Sequence, residues 1–163
     1  MRKSIFILLI VSLLITCKSQ PKIAESGIEI LEPEFDVVSI YIIQADLVVT
    51  EFEAVIRVGN PNSFAMELSS ITYELYGNER FWAGGVASDN LQIPAESSGE
   101  TRFKFTMNFI NMSRPLLDDV IAMRQVNYRF KGQAQVKPVI SGVSAFEVDF
   151  DCSGLSEVKR RAN

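Results

Sequence analysis

The chain has 163 residues, 47% of them hydrophobic and 22% charged, the balance of one folded domain plus a short targeting segment rather than of a disordered chain. The net charge is −4 and there is no basic run, so the sequence offers no footprint for DNA or RNA. Histidine is absent and cysteine occurs twice, which excludes Ser-His-Asp and Cys-His catalytic sets, histidine-ligated metals, four-cysteine metal sites and a disulfide framework.

Residues 1–16 read as a signal peptide. Arg2 and Lys3 make a basic start, and Ile5 to Ile15 is apolar but for Ser12, a length typical of a cleaved signal. At ~1.5 Å per residue such a run spans only about half of a ~30 Å hydrocarbon core. The run ends in Leu14-Ile15-Thr16-Cys17, which resembles a bacterial lipobox with Thr16 in the small-residue position. The resemblance implies a lipid anchor at Cys17 and a cell-envelope location, with the periplasmic face expected and inner versus outer membrane left open. Without Arg2 and Lys3 the charge becomes −6. Residues 17–35 open with the polar stretch Lys18-Ser19-Gln20-Pro21-Lys22 and read as the lipidated N-terminus and tether.

From Asp36 the pattern has period two, and residues 36–152 read as one β domain. Phe52, Ala54, Ile56 and Val58 share one face against Glu51, Glu53 and Arg57, with Val55 an apolar exception, and Asn60-Pro61-Asn62 stops the strand with turn chemistry. Met66 and Leu68 are in phase, as are Ile71, Tyr73 and Leu75. The slip between the two sets at Ser69-Ser70 predicts a bulge or a bend. Gly77-Asn78 reads as a hairpin turn into Phe81, Trp82 and Ala83. Gly84-Gly85 allows a kink or close backbone approach, and Ile93-Pro94-Ala95 with Ser97-Ser98-Gly99 is a further turn region. Phe103, Phe105, Met107 and Phe109 then alternate with Arg102, Lys104, Thr106 and Asn108. Tyr128, Phe130, Ala134 and Val136 repeat the pattern, as do Phe146, Val148, Phe150 and Cys152. Residues 153–163 read as a C-terminal tail.

One segment departs from period two. Leu116, Leu117, Val120, Ile121 and Met123 recur at helical spacing, with Ser113 as a cap, Pro115 in the first turn and Asp118-Asp119 near the positive end of the dipole. A short helix is expected over residues 113–124. About seven strands, each with one polar face, imply two sheets packed face to face.

The order of these signals resembles the LEA type 2 family, also called the WHy (water stress and hypersensitive response) domain. The similarity rests on Val55-Ile56-Arg57-Val58-Gly59 running into Asn60-Pro61-Asn62, then Ile71 to Gly77, Gly84-Gly85, Ile93-Pro94-Ala95, Gly99 and the strand Arg102 to Phe109. It continues through the helical segment and Tyr128 to Gly132. Tyr76-Gly77-Asn78 stands where the family often has Asn-Gly. The resemblance implies a fibronectin-III-like seven-stranded β-sandwich with one short helix. It also implies a protein linked to desiccation and stress tolerance through shielding of other proteins, without catalytic residues.

The candidate chemistry agrees. Asp118 and Asp119, as helix neighbours, do not converge on a substrate. Glu147, Asp149 and Asp151 form an acidic row that suits a weak cation site, but Arg129 and Lys131 on the preceding strand are the better match for it. No metal, cofactor or enzymatic activity is expected. Cys152 should point inward as a small hydrophobe. Phe81 and Trp82 are consecutive, so a strand turns one of them outward, and the pair is the candidate contact surface. The expected partners are a membrane, through the anchor at Cys17, and partly unfolded client proteins. The domain is expected to be monomeric. The alternative is an envelope scaffold or a module that binds a hydrophobic ligand.

Overall fold

The computed structural model describes residues 22–23, 29–45, 48–88, 90–108, 122 and 125–161. Ten strands occur among them: β1 (Lys22–Ile23), β2 (Glu29–Ile30), β3 (Glu34–Ala45), β4 (Val49–Asn60), β5 (Met66–Gly77), β6 (Arg80–Ala87), β7 (Leu91–Ile93), β8 (Ser97–Asn108), β9 (Gln125–Pro138) and β10 (Phe146–Arg160). The strands β1 and β2 pair with each other alone. The rest form one sheet in the order β6-β5-β9-β10-β3-β4-β8, with β7 beside β5. Neighbours are antiparallel except β10 and β3, which pair in parallel from Glu157↔Ser39 to Arg160↔Ile42.

That parallel pairing changes the architecture. Two separate facing sheets were expected; instead β10 joins β3, and the two halves are one curled, open sheet, a half-barrel. Register shifts bend it, in β3 at Val37/Ser39 and Ile42/Gln44, in β5 at Leu68/Ser70 and in the β5–β6 hairpin at Leu75/Tyr76. Bulges of this kind raise local twist and turn a strand. The shift at Leu68/Ser70 falls at the phase slip seen in the sequence. No helix occurs among the described residues; the helix expected over 113–124 lies outside them apart from Ala122, which sits in a turn.

The concave side holds the core. Stacked rings cross it from one half to the other: Tyr73 of β5 on Phe103 of β8 at 4.6 Å, and Phe35 of β3 on Phe150 of β10 at 4.3 Å. The inward faces read from the sequence are buried where described, apart from a partly buried Phe146. Gly132 of β9 has no room for a side chain. A Cβ there would stand 2.0 Å from the Thr72 carbonyl oxygen and 2.9 Å from the Phe150 ring, so the glycine lets that ring close over the β5–β9 ladder.

Both expected domain ends are corrected. The strand β10 passes Cys152 and runs to Arg160 with Val158 buried in phase, and the Arg161 amide donates to the Ile42 carbonyl at 3.1 Å. The expected tail is therefore mostly sheet. At the other end Ile30 and Phe35 are buried in the domain, so the expected tether contributes its last residues to the fold. Asn62 anchors them. Its Oδ1 accepts from the Leu31 amide and its Nδ2 donates to the Leu31 carbonyl, both at 2.8 Å. Asn60 ties the same corner to the β7–β8 turn, with Nδ2 donating to the carbonyls of Phe64 at 2.7 Å and Pro94 at 2.9 Å. The Asn-Pro-Asn turn thus satisfies backbone groups both beside it and far along the chain.

Candidate contact surface

The β5–β6 hairpin decides which aromatic faces water. Its two turn residues, Asn78 and Glu79, have φ of 49° and 64°, as a tight primed turn requires. The turn is one residue later than the sequence reading placed it, because Gly77 pairs with Arg80 in the ladder. Asn78 also docks on β9: its amide donates to the Asn127 carbonyl at 2.8 Å, and its Oδ1 accepts from the Asn127 amide at 3.0 Å. Gly77 is needed for packing. A Cβ there would stand 2.1 Å from the Trp82 indole.

The register shift leaves Trp82 as the extra residue between the pairs Leu75↔Ala83 and Tyr76↔Phe81. Two successive side chains, Trp82 and Ala83, therefore turn inward. Trp82 is 5% exposed and lies 6.4 Å from the Phe52 ring. Phe81 is 59% exposed and meets Tyr76 edge-on at 5.6 Å. Trp82 is thus removed from the candidate surface, since the bulge folds it into the core, and Phe81 remains. Sequence reasoning missed Val86, which is 65% exposed. Its pairing with Thr72, and that of Gly84 with Glu74, put both on the convex side with Phe81. The Phe81 ring covers Gly84, 3.4 Å from where a Cβ would stand. The result is an apolar strip, Phe81–Gly84–Val86, at the end of the sheet.

A polar rim bounds the strip. The Tyr76 hydroxyl donates to Glu74 Oε2 at 2.6 Å, and Lys131 Nζ pairs with the same carboxylate at 2.9 Å while lying 5.1 Å from the Tyr76 ring centre. The hydrogen bond from Tyr76, and then that from Lys131, hold the Glu74 carboxyl below its usual pKa. The bond to Glu74 raises that of Lys131.

The acidic row of β10 meets β9 as charge pairing. Arg129 grips Asp151 with two bonds, Nε to Oδ1 at 2.8 Å and Nη2 to Oδ2 at 2.5 Å, and Gln133 Nε2 donates to Asp149 at 3.1 Å. Arg129 accordingly lowers the Asp151 pKa. Among the described residues no cluster of three or more Cys, Asp or Glu is placed to hold a metal ion. Glu53 differs from its expected solvated position. It is 2% exposed, and Arg161 Nη1 reaches both its oxygens at 3.0 and 3.1 Å while Arg102 adds a bond at 3.3 Å. A shallow open depression near the Asn-Pro-Asn turn is lined by Glu34, Gly59, Asn60, Pro61, Glu96 and Ser97.

Cys152 points inward as expected, 3% exposed, but it takes part in a disulfide rather than serving only as a small hydrophobe. The proposed lipid site Cys17 and the pair Asp118-Asp119 lie outside the described residues.

The described residues thus form a strand-rich half-barrel with an apolar strip at one end. The family model described as late embryogenesis abundant protein (LEA_2) matches residues 55–154, and the chain belongs to that family. A protein of Arabidopsis thaliana known from its solution structure superposes with a TM-score of 0.60 at 15% identity, over 86% of this chain and 91% of that one. A second solution structure, assigned to the late embryogenesis abundant (LEA) proteins, gives a TM-score of 0.49 at 16% identity over 78% of this chain and 72% of the other. At such identities the Arabidopsis likeness speaks for the fold alone. The comparison with curated proteins finds no match.

Proposed function

We propose that this LEA_2 protein shields other proteins from aggregation when water is withdrawn, without catalysis, and that it does so at the cell envelope when Cys17 carries a lipid in place of a disulfide. The observation that carries the reading is the exposed Phe81–Val86 strip, two large apolar side chains side by side on one edge strand, in a chain of this family. Such a strip makes weak, reversible contact with apolar surface on partly unfolded proteins and lowers the concentration of aggregating species. The acidic chain, with −4 charge overall, keeps the complexes soluble.

Two experiments test it. The protein, dried with an unrelated labile enzyme and rehydrated, should keep more of that enzyme soluble than an inert acidic protein of the same size does, and without ATP. Equal recoveries reject the shielding role. The second concerns the anchor. Lipidation consumes the Cys17 thiol, Cys152 takes part in a disulfide, and Cys17 is the chain's one other cysteine. A thioether and a disulfide at Cys17 exclude one another. A fatty-acid probe should label wild type and not Cys17→Ser. An unlabelled wild type whose gel mobility changes on reduction rejects the anchor and assigns the thiol to a disulfide.

A further inference from the structure

The two ends of the sheet differ in how they are protected. The strand β8 turns Glu100, Arg102 and Lys104 to solvent, charges of the kind that stop a sheet edge from pairing with another chain. Among the described residues the strand β6 pairs in the sheet with β5 alone, and from Phe81 to Ala87 it carries neither a charge nor a proline. Across the open seam β8 leaves Gly84, Gly85 and Val86 exposed.

The free edge is self-complementary. Beyond the bulge, Ala83, Gly85 and Ala87 pair with the inward residues Leu75, Tyr73 and Ile71, while Gly84 and Val86 pair with Glu74 and Thr72 on the convex side. An antiparallel pairing of β6 with β6 of a second copy, about an axis at Gly85, sets Gly85 opposite itself, Ala83 opposite Ala87 and Gly84 opposite Val86. Every pair then matches inward with inward and convex with convex, as directly opposed residues of an antiparallel ladder must. Moving the axis to between Ala83 and Gly84 places an inward residue against a convex one and breaks this match. In the matched register Val86 of one copy lies across from the hollow at Gly84, which the Phe81 ring covers. Aromatic and β-branched residues make favourable cross-strand neighbours. The contact occurs twice, once on each side of the axis, as a two-fold interface requires.

From this we infer that β6 is a dimerisation edge: two copies join their sheets antiparallel through residues 83–87, with Val86 of each seated on Phe81 of the other. The pairing goes beyond the shielding role but uses the same Phe81–Val86 strip, so a dimer must open before that strip meets a client; the sequence reading expected a monomer. A second copy is the occupant because the strand's own residues supply both halves of the contact.

The test uses the full chain in its membrane. Val86→Cys and, as a control, Val139→Cys are treated with a short bismaleimide. Both positions are exposed, so neither substitution disturbs the core. The pairing predicts a cross-linked species of twice the chain mass for Val86→Cys and only the wild-type background for Val139→Cys. Adding Phe81→Ser to Val86→Cys should lower the dimer yield by about twofold or more, since the ring on which residue 86 of each copy is seated is lost. Equal yields at the two positions overturn the inference. So does a Val86→Cys dimer indifferent to Phe81, or a spread of adducts with other proteins in place of a single dimer.

Discussion

Trp82→Ala and Phe81→Ser are neighbouring substitutions with opposite expected consequences. The Trp82 ring is 5% exposed, packed near Phe52 and pressed onto Gly77. Removing it takes away roughly 150–200 Å² of buried apolar surface, about 4–5 kcal/mol at ~25 cal/mol per Å². Cavity cost adds to this, while a compact unfolded state and the Trp82 Nε1, buried without a hydrogen-bond partner, subtract from it. The net expectation is about 3–5 kcal/mol. Phe81 is 59% exposed, so the same bookkeeping leaves at most about 2 kcal/mol for its loss. Trp82 is the chain's single tryptophan, so unfolding in urea must be followed by circular dichroism rather than indole fluorescence. Trp82→Ala should lower the midpoint far more than Phe81→Ser at an unchanged slope. A larger loss for Phe81→Ser would refute the bulge and with it the assignment of faces along β6.

Three further outcomes are expected. Asn62→Ala removes both bonds to Leu31 and should cost about 1–3 kcal/mol, as buried backbone groups lose partners; hydrogen exchange at the Leu31 amide should quicken more than at β9 amides. Burial first, then the hydrogen bond to Asp36, raises the Tyr128 hydroxyl above its ordinary value of 10.0, so the folded state keeps a proton that the unfolded state loses; stability should fall as pH rises above that value, and the fall should be shallower in Tyr128→Phe, as urea titrations across alkaline pH can measure. Arg129→Ala breaks an exposed pair with Asp151 and should leave the midpoint nearly unchanged in the same denaturation assay.

Strand interiors were legible where a polar residue stood between each pair of apolar ones, as in β8 and β9. The bulge at Leu68/Ser70 was legible as well, because a change of phase leaves a mark in the sequence. In β3 the inward set was not. Val37-Val38 and Ile42-Ile43 offer apolar side chains to both faces, and two register shifts exchange those faces partway. The second half of β10 was hidden for the opposite reason: Ser156 and Val158 are too sparse to announce a strand, and the stretch is ordered by β3, a strand more than a hundred residues away in sequence. The single curled sheet depends on that same non-local parallel pairing, which periodicity does not encode. At the contact surface, consecutive aromatics showed that one should be outside. Only the extra residue in the β5–β6 register decides that it is Phe81. Glu53 looked solvated by its position in the alternation, yet Arg161 and Arg102 cover it from distant parts of the chain.

We propose that shielding resides in the convex strip of β6. Recovery of an unrelated labile enzyme after drying, measured with wild type, Phe81→Ser/Val86→Ser and Lys104→Ala at about equal mass, tests it most directly. Circular dichroism first establishes that all three are folded at the assay temperature. The strip predicts that the double variant loses most of the protection while Lys104→Ala, a surface change elsewhere on the sheet, retains it. A double variant that protects as well as wild type would contradict the claim.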